Sequence, residues 1–264
     1  MNKPGEEPLL SLPERHSRIL SLLQQNGSIS VTQLSELFKV SEVTIRKDLS
    51  YLEQQKKLYR THGSAILISP YISDRHVNEK KKKNVAEKRA SGAAAAALVS
   101  QDDSIIIASG TTMAFLAREI KPVGRLTVIT AAVPVTQILS QHADVDVIQL
   151  GGITRSSSVS VVGPFAEAML RNFNCSKLFV GVDGIDTEFG LTTTNVLEAS
   201  LNDAMINAAQ KVVVLADSSK FGRRGFSKIC DLEAVDRIIT DSGVQPLYLE
   251  RLRERGIEVT VVDV

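Results

Sequence analysis

Through residues 13–25 the apolar positions Ile19, Leu20, Leu22 and Leu23 recur at helical spacing, and Asn26-Gly27 closes the run as a helix C-terminal signal. A short segment, Ser28–Ser30, follows. Ser30 with Gln33 three residues on predicts a capping-box start for a second helix carrying Leu34, Leu37 and Phe38, which ends by about Lys39. Ser41 then caps a third helix with Ile45, Leu49 and Leu52 on one face and Arg46, Lys47 and Gln54 off it. Two helices one tight turn apart, followed by β-prone pieces at 58–68 around Thr61-His62-Gly63-Ser64, predict a helix-turn-helix with a two-stranded wing. Residues 69–83 hold Pro70 and four consecutive lysines without apolar periodicity, and read as a linker.

The pattern changes beyond 84. An alanine-rich helix over 84–99 leads into apolar runs at 104–108, 126–130, 145–150, 177–182, 211–216, 237–240 and 258–262, separated by small-residue loops and helical segments. Near-continuous apolar strands of this kind fit a mainly parallel sheet covered on both faces. The expected fold class is therefore α/β, with a winged helix-turn-helix at 12–68, a linker at 69–83 and a larger α/β domain at 84–264.

Composition adds three points. The longest apolar run, 93–99, is too short to cross a bilayer, and Glu6, Glu7, Glu14 and Arg15 stand where a signal peptide needs an apolar stretch, so no membrane partner and a cytoplasmic location are expected. The two cysteines, Cys175 and Cys230, lack CxxC spacing or a nearby histidine and read as buried small hydrophobes, with no metal site or cofactor implied. Residues 1–90 carry 16 Lys and Arg against 10 Asp and Glu, whereas the remainder carries 15 against 20, a division that fits a nucleic-acid module joined to a domain with other work.

A helix entering the major groove presents small or polar side chains to base edges and cations to phosphates while an apolar face anchors it. Around the inward Ile45 and Leu49, the residues available to DNA are Ser41, Glu42, Val43, Thr44, Arg46 and Lys47, with Arg60 and His62 on the wing. A solvated cationic face, or a winged helix used for protein contacts, would give the same pattern. The blocks Arg15-His16-Ser17-Arg18-Ile19-Leu20, Val40-Ser41-Glu42-Val43-Thr44-Ile45-Arg46-Lys47-Asp48-Leu49 and Leu58-Tyr59-Arg60-Thr61-His62-Gly63-Ser64-Ala65 resemble the N-terminal signature of the DeoR family of bacterial transcriptional regulators. The chain departs from it at Lys47 and Ser64, where the family usually has Arg and Gly.

In the second domain, Ser109-Gly110-Thr111-Thr112 lies between a predicted strand and a helix over 113–120, a corner of backbone N–H groups, hydroxyls and a helix N-terminus that suits an anion. Gly151-Gly152 is a second close-approach loop, with the cation Arg155 just beyond. Asp183, Glu198 and Asp217-Ser218-Ser219-Lys220 follow other strands, and loops at the carboxyl ends of a doubly wound sheet converge on one place. Local readings stay open: Glu198 completing a capping box with Asn195, and Asp217 capping the next turn.

The resemblance continues through Ser109-Gly110-Thr111-Thr112, Leu150-Gly151-Gly152, Val162-Gly163-Pro164, Gly181-Val182-Asp183-Gly184-Ile185, Gly190-Leu191-Thr192-Thr193 and Ala216-Asp217-Ser218-Ser219-Lys220-Phe221, blocks similar to those of DeoR-type sensor domains. It implies a sensor like the ribose 5-phosphate isomerase fold that binds a phosphorylated sugar-like effector. The phosphate would sit at Gly110, Thr111 and Thr112, with Asp183, Glu198 and Lys220 facing the sugar. Thr130-Ala131-Ala132 departs from the family's usual Thr-Asn and removes an amide. The implied partners are operator DNA, the effector and further copies of the chain. The rival is an enzyme isomerising a sugar phosphate by proton transfer; the fused DNA module gives the site a simpler purpose, and no catalytic residue is assigned.

Overall fold

The computed structural model describes residues 11–26, 28–55, 57–61, 63–67, 76–122 and 124–264. They fall into two units, 1–70 and 71–264. In the first, helix α1 (Leu12–Asn26) precedes strand β1 (Ser28–Ser30), helices α2 (Val31–Phe38) and α3 (Glu42–Gln54), and strands β2 (Leu58–Thr61) and β3 (Ser64–Leu67). Ser30 and Gln33 form the expected reciprocal capping box, and α2 stops because Lys39 turns left-handed at φ 52°. The three strands pair antiparallel in the order β1-β3-β2. Ile19, Leu23, Leu34, Ile45, Leu49, Leu52, Leu58 and Ala65 close the core, with Leu20, Leu22 and Phe38 partly buried against it, whereas Leu37, read with the apolar face of α2, is exposed.

At the wing turn Gly63 has φ 89°, a conformation that favours glycine, while Ser64 begins β3 in ordinary paired backbone and is buried. A side chain at position 64 therefore fits the wing without strain.

The second unit contains α4 (Val77–Lys80), α5 (Val85–Ala96), β4 (Ser104–Ile107), α6 (Thr111–Glu119), β5 (Leu126–Thr130), α7 (Val133–Leu139), β6 (Val145–Gln149), β7 (Ile153–Arg155), β8 (Ser160–Val162), α8 (Pro164–Leu170), β9 (Lys177–Gly181), β10 (Gly184–Asp186), β11 (Gly190–Thr193), α9 (Val196–Asn207), β12 (Val212–Leu215), β13 (Ser227–Cys230), β14 (Arg237–Asp241), α10 (Pro246–Glu254) and β15 (Glu258–Val262). From His76 onward, the second half of the segment read as linker is built into this unit.

All seven apolar runs are strands of one parallel sheet, in the order β15-β14-β12-β9-β4-β5-β6. Successive side chains alternate faces, and both faces are covered. Ile106, Leu178, Val180, Val214 and Ile238 pack with Leu170, Leu201, Met205 and Leu252 on one side. Ile105, Ile107, Phe179, Val213 and Ile239 pack with Ala95, Met113, Leu116 and Leu139 on the other. On that second side α5 lies directly on α6: a Cβ on Gly92 would stand 2.8 Å from the Leu116 backbone nitrogen. Two smaller sheets, β7-β8 and β10-β11-β13, were not expected from the sequence.

Cys175 is buried as expected, but Cys230 is only half-buried. Burial, with Asp203 and Asp231 nearby, pushes the Cys230 thiol up to about 12, so it stays protonated at neutral pH.

Candidate functional site

The first candidate surface is built on α3. The Ser41 hydroxyl accepts the Thr44 N–H at 3.2 Å and stands 2.9 Å from the Thr44 hydroxyl, fixing the helix start. Glu42 accepts from the Thr32 hydroxyl at 2.9 Å and pairs with Arg46 one turn on at 2.6 Å. Ser41, Glu42 and Thr44 are thus engaged within the protein, while Val43 is 58% exposed. Val43, Arg46, Lys47, Ser50, Tyr51 and Gln54 line a shallow groove along the helix. Ser50, Tyr51 and Gln54 were missed, although their spacing from Val43 continues one helical stripe.

The wing is fastened to the same helix. The Arg60 backbone N–H donates to Glu53 Oε1 at 3.0 Å, and its guanidinium donates to the Ser50 hydroxyl. His62 lies outside the described residues. Beneath the groove, Asp48 is buried and accepts from Arg15 through Nε at 2.5 Å and Nη2 at 3.0 Å, with His16 Nε2 at 3.1 Å. The His16 ring stacks on Tyr51 at 5.1 Å between centroids. Helix α1 therefore clamps α3 through a charged contact as well as through the core.

The second candidate site lies at the carboxyl ends of the parallel strands. Chain order reverses direction where β4 sits between β5 and β9, the switch point at which such sheets leave a crevice. Gly110 has φ 129° and contributes no side-chain cap to α6, and Thr111 is buried in its first turn. The end of β9 comes alongside, since a Cβ on Gly181 would stand 4.0 Å from the Ser109 carbonyl and 3.9 Å from Met113.

Asp183, just past β9, accepts from Lys80 Nζ at 2.9 Å and from the Thr193 hydroxyl at 3.1 Å. Thr193 also reaches Glu198 at 3.4 Å, and Glu198 pairs with Arg155 at 2.7 Å. Burial acts to raise the Asp183 carboxyl, but the charges of Lys80 and Lys220 and the hydrogen bonds from Lys80 and Thr193 outweigh it and hold the group below the ordinary carboxylate value. Asp217 accepts from Asn84 Nδ2 at 2.8 Å and from the Ser219 N–H at 3.2 Å. Lys88 is buried close by, and burial lowers its ammonium despite Asp217, with Lys220 and Lys80 acting in the same direction as burial.

The structure thus joins Arg155, Asp183 and Glu198 in one network and places Lys220 within electrostatic range of Asp183. It adds Lys80, Asn84 and Lys88, which the sequence reading had left in a linker or a helix. Of the local alternatives, Asn195 does cap α9 through the N–H groups of Leu197 and Glu198, but the Glu198 carboxylate turns to Arg155 and Thr193. Asp217 caps its turn and meets Asn84 as well. Among the described residues no hydrogen bond or ion pair ties Thr112 to the network. The close approach at Gly152 is to its own chain, where a Cβ would stand 2.7 Å from the Val162 carbonyl.

Asp186 supplies a pH test of the same unit. Burial raises its carboxyl, but hydrogen bonds from Arg224 and from the N–H groups of Glu188 and Phe189 hold it below the ordinary 3.8. A carboxylate that binds protons less readily folded than unfolded stabilises the fold at neutral pH, and that contribution is lost as pH falls below about 4 through the folded value. Asp186→Asn is expected to cost about 1–3 kcal/mol at neutral pH and to shallow the loss of stability between about pH 5 and pH 3. Urea melts across that range check it, and parallel curves for parent and variant would refute it.

A winged helix with an exposed cationic stripe, joined in one chain to an α/β unit with a charged cluster at its strand ends, defines a DNA-binding transcriptional regulator. The chain belongs to the DeoR family: the DeoR-like helix-turn-helix domain matches residues 15–71 and the DeoR C terminal sensor domain matches residues 83–242. It is 39% identical to the HTH-type transcriptional regulator YulB of Bacillus subtilis over 94% of this chain and 96% of that one. It is 38% identical to an Escherichia coli O157:H7 protein named as an aga operon transcriptional repressor, over 98% of this chain and 97% of that one. Ribose 5 phosphate isomerase A from Neisseria gonorrhoeae aligns with 52% of this chain and 53% of its own at 17% identity and a TM-score of 0.38, a likeness too slight to carry an argument. Among the described residues no helix is long and apolar enough to cross a membrane.

Proposed function

We propose that the chain represses a carbohydrate or related catabolic operon from the cytoplasm as a homo-oligomer, and that a phosphorylated sugar-like effector releases it from DNA without being turned over. The observation that carries the effector half is the charge arrangement at the strand ends. Lys80, Lys88, Lys220 and Arg155 surround Asp183, Glu198 and Asp217, so cations suited to a phosphate stand beside carboxylates suited to hydroxyls. Gly110 and Thr111 at the start of α6 supply N–H groups for the same anion, and Thr112 and Gly152 complete the proposed set. Repression is supported by the name of the aga operon relative. A homo-oligomer is supported by geometry, since one winged helix covers too little DNA for strong specificity.

On the DNA side the contact set is Val43, Arg46, Lys47 and the wing, with Ser41, Glu42 and Thr44 shaping the helix start. The test is a mobility shift on the chain's own upstream DNA. Replacing both Arg46 and Lys47 with Ala is expected to weaken binding strongly and to lower the slope of log affinity against log salt by about 2, because each lost phosphate contact releases fewer counterions. Parent affinity and slope in a folded variant would remove α3 from the recognition role. Incubation with pentose phosphates tests the enzyme alternative, and turnover would overturn the regulator-only reading.

A further inference from the structure

The four-lysine run points in two directions. Lys80 reaches inward to Asp183, whereas Lys81, Lys82 and Lys83 are exposed and make no ion pair among the described residues. Their backbone is ordered: the N–H of Lys81 donates to the Val77 carbonyl at 2.9 Å, that of Lys82 to Glu79 at 3.2 Å and that of Lys83 to Lys80 at 3.4 Å. The same turn is fastened from below. Lys88 Nζ donates to the Lys80 carbonyl at 2.6 Å and to the Lys83 carbonyl, and the Val77 N–H donates to the Ser157 carbonyl at 2.6 Å.

A charge run left to solvent needs no such anchoring. Burying an ammonium is unfavourable unless it gains strong acceptors, and buried Lys88 directs two of its three N–H donors to the backbone from which the three exposed lysines project. Three like charges on consecutive residues raise the local positive potential, and the exposed acid nearest in the chain is Glu79. That arrangement is favourable where a polyanion lies alongside. The duplex bound by the winged unit of the same chain is such a polyanion.

We propose that Lys81, Lys82 and Lys83 are a second DNA contact, taking backbone phosphates of the duplex that the winged unit binds. The contact is independent of base sequence. It adds affinity and salt dependence to operator and non-operator DNA alike. The inference rests on the operator-binding reading above, and the occupant is the DNA phosphate rather than the phosphate of the effector.

The experiment compares four full-length proteins on upstream and random-sequence duplexes over a salt series: the parent, Lys81→Gln/Lys82→Gln/Lys83→Gln, a control with Lys121→Gln/Lys211→Gln/Lys228→Gln, and Arg46→Ala/Lys47→Ala. The 81–83 variant is expected to lose about 2–3 from the salt slope on both duplexes, while the control, with the same net charge, keeps the parent slope. Replacing the three lysines with Arg should preserve it. A parent slope in the 81–83 variant, or an equal loss in the control, overturns the inference, even when Arg46→Ala/Lys47→Ala flattens the slope as expected. Weakened effector release with an unchanged salt slope overturns it too, because the lysines would then serve the effector. A slope lost in the 81–83 variant but kept in Arg46→Ala/Lys47→Ala supports the second contact and removes α3 instead, so the two failures are distinguishable.

Discussion

Replacing Asp48 with Ala is expected to abolish operator binding while leaving the α/β unit folded. Asp48 is 3% exposed and accepts three hydrogen bonds from Arg15 and His16, so it ties α1 to the middle of α3. Removing one partner of a buried charged contact costs about 3–5 kcal/mol. A winged helix of this size has roughly 3–9 kcal/mol in total, so the loss takes between about a third and all of it. The groove side chains on the opposite face of α3 depend on that clamp, because Tyr51 is stacked on the His16 ring. Hydrogen exchange resolved by segment checks the outcome: protection should disappear from α1, α2 and α3 and persist in β4, β9 and β12. An Asp48→Ala protein that keeps parent operator affinity would show that the clamp is dispensable.

The winged unit was legible because its local signals agree. The Ser30 and Gln33 capping box, the Ser41 cap and the stripe of Ile45, Leu49 and Leu52 each define one boundary or face, and tertiary packing did not override them. The seven parallel strands were legible for a related reason: burial on both faces makes Ile105, Ile106 and Ile107 one uninterrupted apolar run. The small sheets were not. Strands β7 and β8 have three residues each, too few for alternation to register, and their connection holds serines with Val159 at φ 50°. The turn between β10 and β11 depends on Asp186 accepting the N–H groups of Glu188 and Phe189 and on Gly190 at φ 93°. That signal is present in the sequence but weak beside the helix that follows.

The charged cluster was legible only in part. Asp183, Glu198 and Lys220 stand at strand ends or helix starts, where topology draws attention, and the network through Thr193 follows from them. Lys80 and Lys88 were hidden by their setting. A lysine inside a run of four reads as solvated charge, and one on an alanine-rich helix reads as an exposed face. What distinguishes them is tertiary: α4 is held to the hairpin between β7 and β8 by Val77 and Ser157, which brings Lys80 to Asp183. Sequence spacing carries no trace of a contact between residues so far apart.

Lys220→Ala is expected to leave operator affinity within about twofold of the parent while abolishing release by the effector. Lys220 closes the short turn Ser218–Lys220 after β12 and acts electrostatically on both Asp183 and Lys88. It belongs to the α/β unit, so its loss removes nothing from the winged unit. A hydrogen bond between a cation and a phosphate or carboxylate is worth about 1.5–3 kcal/mol, which corresponds to effector binding weaker by roughly 10- to 150-fold. An effector shifts an equilibrium only by its differential affinity for the two states, so that loss passes directly into the release curve and yields a repressor that cannot be induced. Thr111→Val should act in the same direction with a smaller effect, since it removes one neutral hydroxyl beside the start of α6. A thermal-shift screen of phosphorylated sugars and polyols identifies the ligand that stabilises the parent. Titrating that ligand against a preformed protein–DNA complex then compares the three proteins. If both variants release DNA at the parent midpoint, Lys220 is a solvated loop charge, Thr111 is an ordinary turn residue, and the effector site lies elsewhere.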